Sequence, residues 1–303
     1  MAITIGIPKG LPYYDYKDLW EVFFKELGCK IIYSPDTNNE ILEVGKKHLI
    51  DESCLPMKIY MGHLDYLSGK CDYLLIPHLQ VINKKEEMCT NFLALYDLAK
   101  NIFEDKIITY HVNVDEGINE EEALIKMLLP FDFTKEEIKA AYQHANRKSL
   151  QNKFKNLREN LNLLECHKTK VLLISHPYNT YDKFIGQPII DYLNKNNITI
   201  IHAHLNNCKT NQYLNFTKTL YWTHSKNLIN GLSMYEEYVD GIIFLTTFPC
   251  GPDSLVNEIA LSKVNKPAIQ IVIDELNSGV GLETRLESFI DILERKKAYH
   301  ENN

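Results

Sequence analysis

The sequence predicts an α/β protein with mainly parallel sheets, arranged as two Rossmann-like or flavodoxin-like lobes. Three observations carry that expectation. Short apolar runs alternate with stretches of helical period, the rhythm of repeated strand–helix–strand units. Several of the runs are apolar at nearly every position, as strands are when helices cover both faces of their sheet. A long polar stretch, residues 134–164, contains neither proline nor glycine and separates two strand-rich halves. The expected organisation is an N-terminal lobe over 1–133, a helical connection over 134–165 and a C-terminal lobe over 166–303.

In chain order, strands are expected at 3–7 (ITIGI), 30–34 (KIIYS), 73–77 (YLLIP), 106–112 (KIITYHV), 170–175 (KVLLIS), 198–203 (ITIIHA), 241–248 (GIIFLTTF) and 268–274 (AIQIVID). Helical patterns between them include 17–27, 57–67, 92–102, 188–194 and 254–263. Within 134–164, Thr134 and Glu137 have the spacing of an N-terminal capping box, so this stretch reads as one or two connecting helices. Its basic residues Arg147, Lys148, Lys153, Lys155 and Arg158 read as a solvated helix face. The acidic run 120–122 reads as the start of another helix.

Composition narrows the class. The 303 residues are 45% hydrophobic and 24% charged, an ordinary globular mix. Lys and Arg number 33 against 40 Asp and Glu, a net charge of −7 that gives no global field for nucleic acid. No apolar run approaches the roughly 20 residues that span a bilayer. The N-terminus, MAITIGIPKG, has neither the basic region nor the apolar stretch of an export leader. A cytoplasmic location is expected, with no membrane and no nucleic acid as partner. Neither the P-loop pattern nor GxGxxG occurs. Gly6 and Gly10 in GIPKGLP have the wrong spacing and read as a turn after the first strand.

Seven cysteines and no CxxC leave buried thiols, metal ligands or a reactive thiol as the options in a reducing compartment. Cys54, in DESCLPMK, lies just ahead of a helix with Pro56 in its first turn. Cys89 lies between strand YLLIP and the next helix, and Cys250, in TTFPCGPDS, between strand GIIFLTTF and the helix after it. Such places collect the ligands of open α/β sheets, and the N–H groups of a helix start favour thiolates and anionic clusters. Cys29 and Cys71 each lead into a buried strand, where packing as small hydrophobes suffices. Cys166 and Cys208 have no comparable setting. Separations of 35 and 161 residues among Cys54, Cys89 and Cys250 match no local metal motif. His202 and His204, with Cys208 nearby, and His176 at another strand end are the other metal-capable groups, read either as half of a zinc site or as polar residues closing strands.

The segments IGIPKGLPYYDYKDLWEVFFKELG, HLIDESCLPMKIYMGHLDYL, SHPYNTYDKFIG, TTFPCGPDSLVNEI and TRLESFIDIL together resemble the 2-hydroxyacyl-CoA dehydratase activase-related family. Its relatives are the dehydratase subunits and the double-cubane cluster proteins. The resemblance runs from about residue 3 to 295, and DESCLPMK and FPCGPDS are its most specific parts. It implies an iron–sulfur cluster held in a crevice between α/β lobes, with Cys54, Cys89 and Cys250 matching the ligands by position. It also implies an ATP-hydrolysing activase of the actin/Hsp70 fold as partner, supplying a low-potential electron. The expected function is that of an iron–sulfur redox protein, either transferring electrons or reducing a small substrate. Where the family usually reads DEH-T/S-G after the last strand, this chain has Asp274-Glu275-Leu276-Asn277-Ser278-Gly279, so a histidine is missing there.

Three sulfur ligands leave one iron of a 4Fe-4S cubane open. Alternatively, the chain contributes half of a double-cubane cluster completed by a homodimer or a related subunit. Ser53, His63, His78, Tyr178, Asp253 and Ser254 are candidates to tune the cluster, although caps and turn bonds explain each of them too, with Asp253 or Ser254 as a helix N-cap foremost. Two further readings remain: a non-catalytic assembly or regulatory subunit, and a zinc-dependent hydrolase built on His202, His204 and His176.

Overall fold

The computed structural model describes residues 2–104, 106–206, 216–217, 220–275 and 279–301. It is a mixed α/β structure in which every strand pairing of the three sheets is parallel. The chain divides into two compact units, Met1–Phe154 with Tyr221–Thr223, and Lys155–Leu220 with His224–Asn303.

The first unit runs β1 (Thr4–Ile7), α1 (Tyr13–Glu26), β2 (Lys30–Tyr33), α2 (Asn39–Lys46), α3 (Leu55–Leu67), β3 (Tyr73–Leu75), β4 (His78–Val81), α4 (Thr90–Ile102), β5 (Ile107–Ile108), β6 (His111–Asn113) and α5 (Glu120–Leu128). The main sheet has the order β2-β1-β3-β5, with β4 and β6 forming a separate pair. Ile5 lies opposite Ile31 on one side and Tyr73 on the other. The stretch expected as one strand over 106–112 is two short strands, and β4 (HLQV) was not anticipated, its alternation being too brief to stand out. The core gathers Ile5, Ile7, Trp20, Phe23, Phe24, Leu75 and Tyr110. Trp20 can be buried because its indole Nε1 donates to the Tyr110 hydroxyl at 2.8 Å.

Two short helices carry the chain from β2 to β3. Asn38 caps α2, its side chain accepting from the Ile41 amide at 3.0 Å. Gly45 of α2 and Gly62 of α3 let the two backbones touch. A Cβ at Gly45 would lie 1.8 Å from the Lys58 carbonyl oxygen, and one at Gly62 would lie 1.9 Å from that of Ile41.

The polar stretch forms one continuous helix, α6 (Lys135–Asn162), rather than two. Its capping box is present: the Thr134 amide donates to Glu137 Oε2 at 2.8 Å and the Glu137 amide donates to Thr134 Oγ1 at 3.2 Å. The acidic run likewise starts α5, with a second box between Asn119 and Glu122. All five basic residues singled out on α6 are exposed. The boundary between the compact units falls inside this helix, at Phe154, not at either of its ends. Ile138, Ala141 and Ala145 near its start belong to the first unit's core.

The second unit holds the rest of α6, then β7 (Lys170–Ile174), α7 (Pro177–Thr180), α8 (Gln187–Lys195), β8 (Thr199–His202), α9 (Thr223–Tyr235, of which the compact unit takes His224 onward), β9 (Gly241–Thr247), α10 (Gly251–Leu261), β10 (Ala268–Ile273) and α11 (Gly279–Glu301). Its sheet has the order β10-β9-β7-β8. Every residue of β9 is buried, which is why the sequence there is apolar without alternation. Asn160, at the end of α6, fixes the end of β8: its Oδ1 accepts from the His202 amide at 2.8 Å and its Nδ2 donates to the His202 carbonyl at 3.1 Å. Both sheets reverse their winding direction once, between β1 and β3 and between β7 and β9. The carboxyl ends of those strands are where open α/β sheets hold ligands.

Replacing Gly62 with alanine forces apart a backbone crossing rather than a flexible side chain, so a loss of about 3 kcal/mol is expected. Gly281→Ala, where nothing lies within 4 Å of the added carbon, is expected to hold or slightly raise the melting temperature. Thermal melts of the two variants check this.

Candidate functional site

The three sulfurs singled out in the sequence share one local geometry. Cys54 is the N-cap of α3, in extended backbone at φ −65° and ψ 148°, with Pro56 in the first turn. Cys89 is the N-cap of α4 at φ −65° and ψ 156°. Cys250 is the N-cap of α10 at φ −116° and ψ 103°, again with a proline, Pro252, just inside the helix. In each case the cysteine carbonyl starts the helical ladder, accepting from Lys58, Leu93 and Ser254 at 3.2, 3.1 and 3.0 Å. None of the three thiols caps its own helix. Each sulfur therefore sits where the unpaired amides and dipole of a helix start favour negative charge.

Cys54 and Cys89 belong to the same unit, and the first turn of α4 touches Cys54. Asn91, the second residue of α4, reaches across to the first turn of α3, and its Nδ2 donates to Cys54 Sγ at 3.1 Å. Two helix N-termini, each carrying a thiol, thus meet at one spot. The loop before Cys54 is held by Lys58, whose buried ammonium donates to the Asp51 carbonyl at 2.7 Å. The loop before Cys89 is held at Glu87, which pairs beside Trp222: its amide donates to the Tyr221 carbonyl at 2.9 Å and its carbonyl accepts from the Thr223 amide at 3.0 Å. Both thiols are half-buried.

Cys250 belongs to the second unit and follows a cis Phe248–Pro249 peptide. Asp253, three residues on, is not the helix cap the sequence suggested. Its carboxylate is buried and turned to the sheet, accepting from His176 Nε2 at 2.8 Å and from the hydroxyls of Ser225 and Thr246 at 3.3 Å each. Burial pushes this carboxyl up, but the His176 charge and hydrogen bond, with help from the Cys250 thiol and Thr246, hold it below its ordinary value. Ser254 is not a cap either; its hydroxyl donates back to the Cys250 carbonyl at 2.6 Å. The cap position had already been taken by cysteine.

His176 and Asp253 join the carboxyl ends of β7 and β9, at the winding reversal of this sheet. Tyr178 stacks on the His176 ring at 4.9 Å and His224 meets it edge-on at 5.6 Å. His202 and His204 lie 5.5 Å apart, centroid to centroid. Burial lowers His202 to about 4 and His224 to about 3, and takes His204 well below its ordinary value. His204 Nε2 is engaged by the Tyr181 hydroxyl at 2.9 Å and His176 Nε2 by Asp253. The set His176, His202 and His204 is thus not assembled around a metal. Among the described residues, no group of three or more His, Cys, Asp or Glu side chains is arranged to hold one. In the turn after β7, Ser175 Oγ, His176 Nδ1, Thr180 Oγ1 and both amide atoms of Asn179 are buried without a hydrogen-bond partner.

The remaining candidates have settled roles. Cys29 is buried, and burial pushes its thiol up. Cys71 packs so closely on β1 that a Cβ at Gly6 would lie 2.6 Å from its sulfur. Cys166 contacts the Thr199 hydroxyl at 3.3 Å. Burial raises that thiol, yet hydrogen bonds with the Thr199 hydroxyl and the Lys168 backbone and the nearby lysine charges bring it below its ordinary value. His63 lies inside α3 with Nε2 3.1 Å from Thr37 Oγ1. His78 stacks on His111 at 4.6 Å. Cys208 and residues 276–278 lie outside the described residues. Sequence reading missed Asn91 and Lys58: an asparagine in a first helical turn looks like an ordinary cap, and a lysine on an apolar helix looks solvated.

Residues 4–205 match the family described as CoA enzyme activase uncharacterised domain. The chain belongs to that family. The match covers both Cys54 and Cys89 and stops short of Cys250. It supports the relation to acyl-CoA dehydratase activases that the sequence motifs suggested. No curated protein matches the chain. Among solved structures, it is similar at 15% identity to a sugar transporter from Clostridium phytofermentans, over 97% of this chain and 94% of that one, with a TM-score of 0.21. A likeness at that level has no bearing on the fold or function of this activase-family domain. No helix of the described residues is long and apolar enough to cross a membrane.

His63 gives a pH test of the first unit. It is fully buried, and burial, with the Lys9 charge, lowers it to about 3, whereas an unfolded histidine titrates near 6.5. Between those values the unfolded chain binds the extra proton. His63 therefore adds stability that is complete above about pH 6.5 and is lost as pH falls toward 3, by up to about 1.4 kcal/mol per unit. Urea melts at pH 7, 6 and 5 are expected to show a shallower acid loss in His63→Gln than in the unsubstituted protein.

Proposed function

We propose that this activase-family domain is an iron–sulfur redox protein whose cluster is held by Cys54, Cys89 and Cys250. The observation that carries the reading is the shared placement: each of the three sulfurs stands at a helix N-cap, and none spends its side chain capping that helix. Thiolate donors are the chemistry that iron–sulfur clusters take, and an anionic cluster is stabilised at helix starts. Cys54 and Cys89 supply two ligands from neighbouring helix starts, and Cys250, from the second unit, is assigned as the third. A cluster of this kind supplies low-potential electron transfer and, with three protein ligands, an iron site available to a small ligand. Asn91 touches Cys54, while Lys58, four residues along the same helix and buried, holds the loop before Cys54. The partner proposed is an ATP-hydrolysing activase of the actin/Hsp70 fold. Whether one copy holds a single 4Fe-4S cubane or half of a double cubane shared with a second subunit follows from the iron count.

The choice between electron relay and chemistry on a small substrate is favoured toward the latter by the turn after β7. An unpaired buried polar atom costs about 1–3 kcal/mol, and this turn keeps five together beside the His176–Asp253 pair. Such a turn suits the polar end of a small substrate better than it suits stability. An assembly or regulatory role has no comparable observation behind it, and the zinc reading is set aside because His176 and His204 each turn Nε2 to another partner.

Anaerobic reconstitution with iron and sulfide is expected to give a brown protein. Cys54→Ser, Cys89→Ser and Cys250→Ser should each lower bound iron sharply, while Cys29→Ser should not. A colourless, iron-free product overturns the reading. Asn179→Leu is expected to leave the melting temperature unchanged or raised while reducing turnover with an activase; a drop in stability would assign Asn179 to the fold instead.

A further inference from the structure

We infer that the outward face of α6 is a docking surface for an acidic amphipathic helix of a partner protein. Arg147, Leu150, Phe154 and Arg158 form it, two apolar side chains bracketed by two cations. The inference is independent of the proposed cluster.

The helical period separates two faces of α6. Ile138, Ala141 and Ala145 recur at the spacing of one face and lie in the first unit's core, and Ser149 extends that buried row. Arg147, Leu150, Phe154 and Arg158 follow the same three-and-four spacing on the opposite side. A surface helix ordinarily turns a polar side to water. Here Leu150 is 45% exposed and Phe154, one turn further on, is 66% exposed. The charge around them is of one sign: residues 138–158 contain six Lys or Arg and no Asp or Glu, in a chain whose net charge is −7. Lys139 is paired with Glu121 and Lys155 with Glu159, and Lys153 lies over the Tyr16 ring. Arg147 and Arg158 are both exposed and have no ion pair among the described residues.

These features select the occupant. An apolar seam that repeats at three and four residues, with a cation at each end, fits a second helix carrying the same spacing. The two arginines stand about 16 Å apart along the helix axis. The complementary helix therefore places carboxylates three turns apart with apolar side chains between them. Guanidinium groups take carboxylates in bidentate pairs. A second copy of α6 is disfavoured, because antiparallel pairing would set Arg147 against Arg158. A bilayer calls for a broader apolar face, and the negative net charge opposes nucleic acid.

Fluorescence anisotropy on the full chain tests the surface, with a labelled three-heptad peptide carrying Leu at its seam and Glu on its flanks. Micromolar binding that weakens with added salt is expected, and a scrambled peptide of the same composition should not bind. Phe154→Ser and the double variant Arg147→Glu with Arg158→Glu should each lose about tenfold in affinity, while Lys195→Glu, on α8, loses nothing. Circular dichroism verifies the fold of each variant, and Leu150→Gln serves if Phe154→Ser is unfolded. Absent binding, equal binding of the scrambled peptide, or binding that survives these α6 substitutions overturns the inference. So does tighter α6-dependent binding to phosphatidylserine vesicles or to a short DNA duplex, or self-association in sedimentation that Phe154→Ser abolishes.

Discussion

The site in the first unit depends on a steric constraint: two helices cross with their backbones touching. Gly45 and Gly62 leave no room for a Cβ, so α2 and α3 are fixed relative to each other by main-chain atoms that cannot repack. A side-chain interface would allow small adjustments. This one makes the first turn of α3, and with it Cys54 and the Lys58 strut, as rigid as the sheet it follows. The Asn91 bond then refers the start of α4 to that fixed frame. The placing of Cys54 is thus built from a backbone crossing and two hydrogen bonds.

Electrostatics supplies the second layer. The first turns of α3 and α4 meet with their partial positive ends together, an arrangement that is unfavourable unless negative charge is placed between them. The second unit solves a different problem with Asp253. A carboxylate buried at the winding reversal is held ionised by four donors, including the thiol of Cys250 and the imidazole of His176. Asp253, His176, Ser225 and Thr246 form one connected network at that edge, while the polar side chains of the turn after β7 stand outside it.

Much of this was legible in the sequence, and the limits have physical causes. Runs such as GIIFLTTF announce a buried strand because burial on both faces removes alternation, and β9 is where it was expected. HLQV of β4 is four residues with mixed character, too short for periodicity to separate it from a loop. The capping box at Thr134 is local and was readable for that reason, whereas at Asn119 only the acidic run after it signalled a helix start. DESCLPMK and FPCGPDS pointed to helix starts, and the cysteines are the caps themselves. Asp253 was misread because a carboxylate three residues into a helix motif looks like a cap until the partner strand, 77 residues earlier at His176, is in view. The Asn91–Cys54 bond links residues that no spacing rule connects.

The pairing of Glu87 beside Trp222 has a consequence for how the molecule is made. Residues Tyr221–Thr223 cluster with the first unit although the chain has by then traversed two of the second sheet's four strands. During synthesis, the nascent N-terminal half emerges with the segment ahead of Cys89 lacking its tether, and that segment can be clamped only after residue 223 has left the ribosome. Closure of the segment ahead of Cys89 is therefore timed by a piece of polypeptide that arrives late.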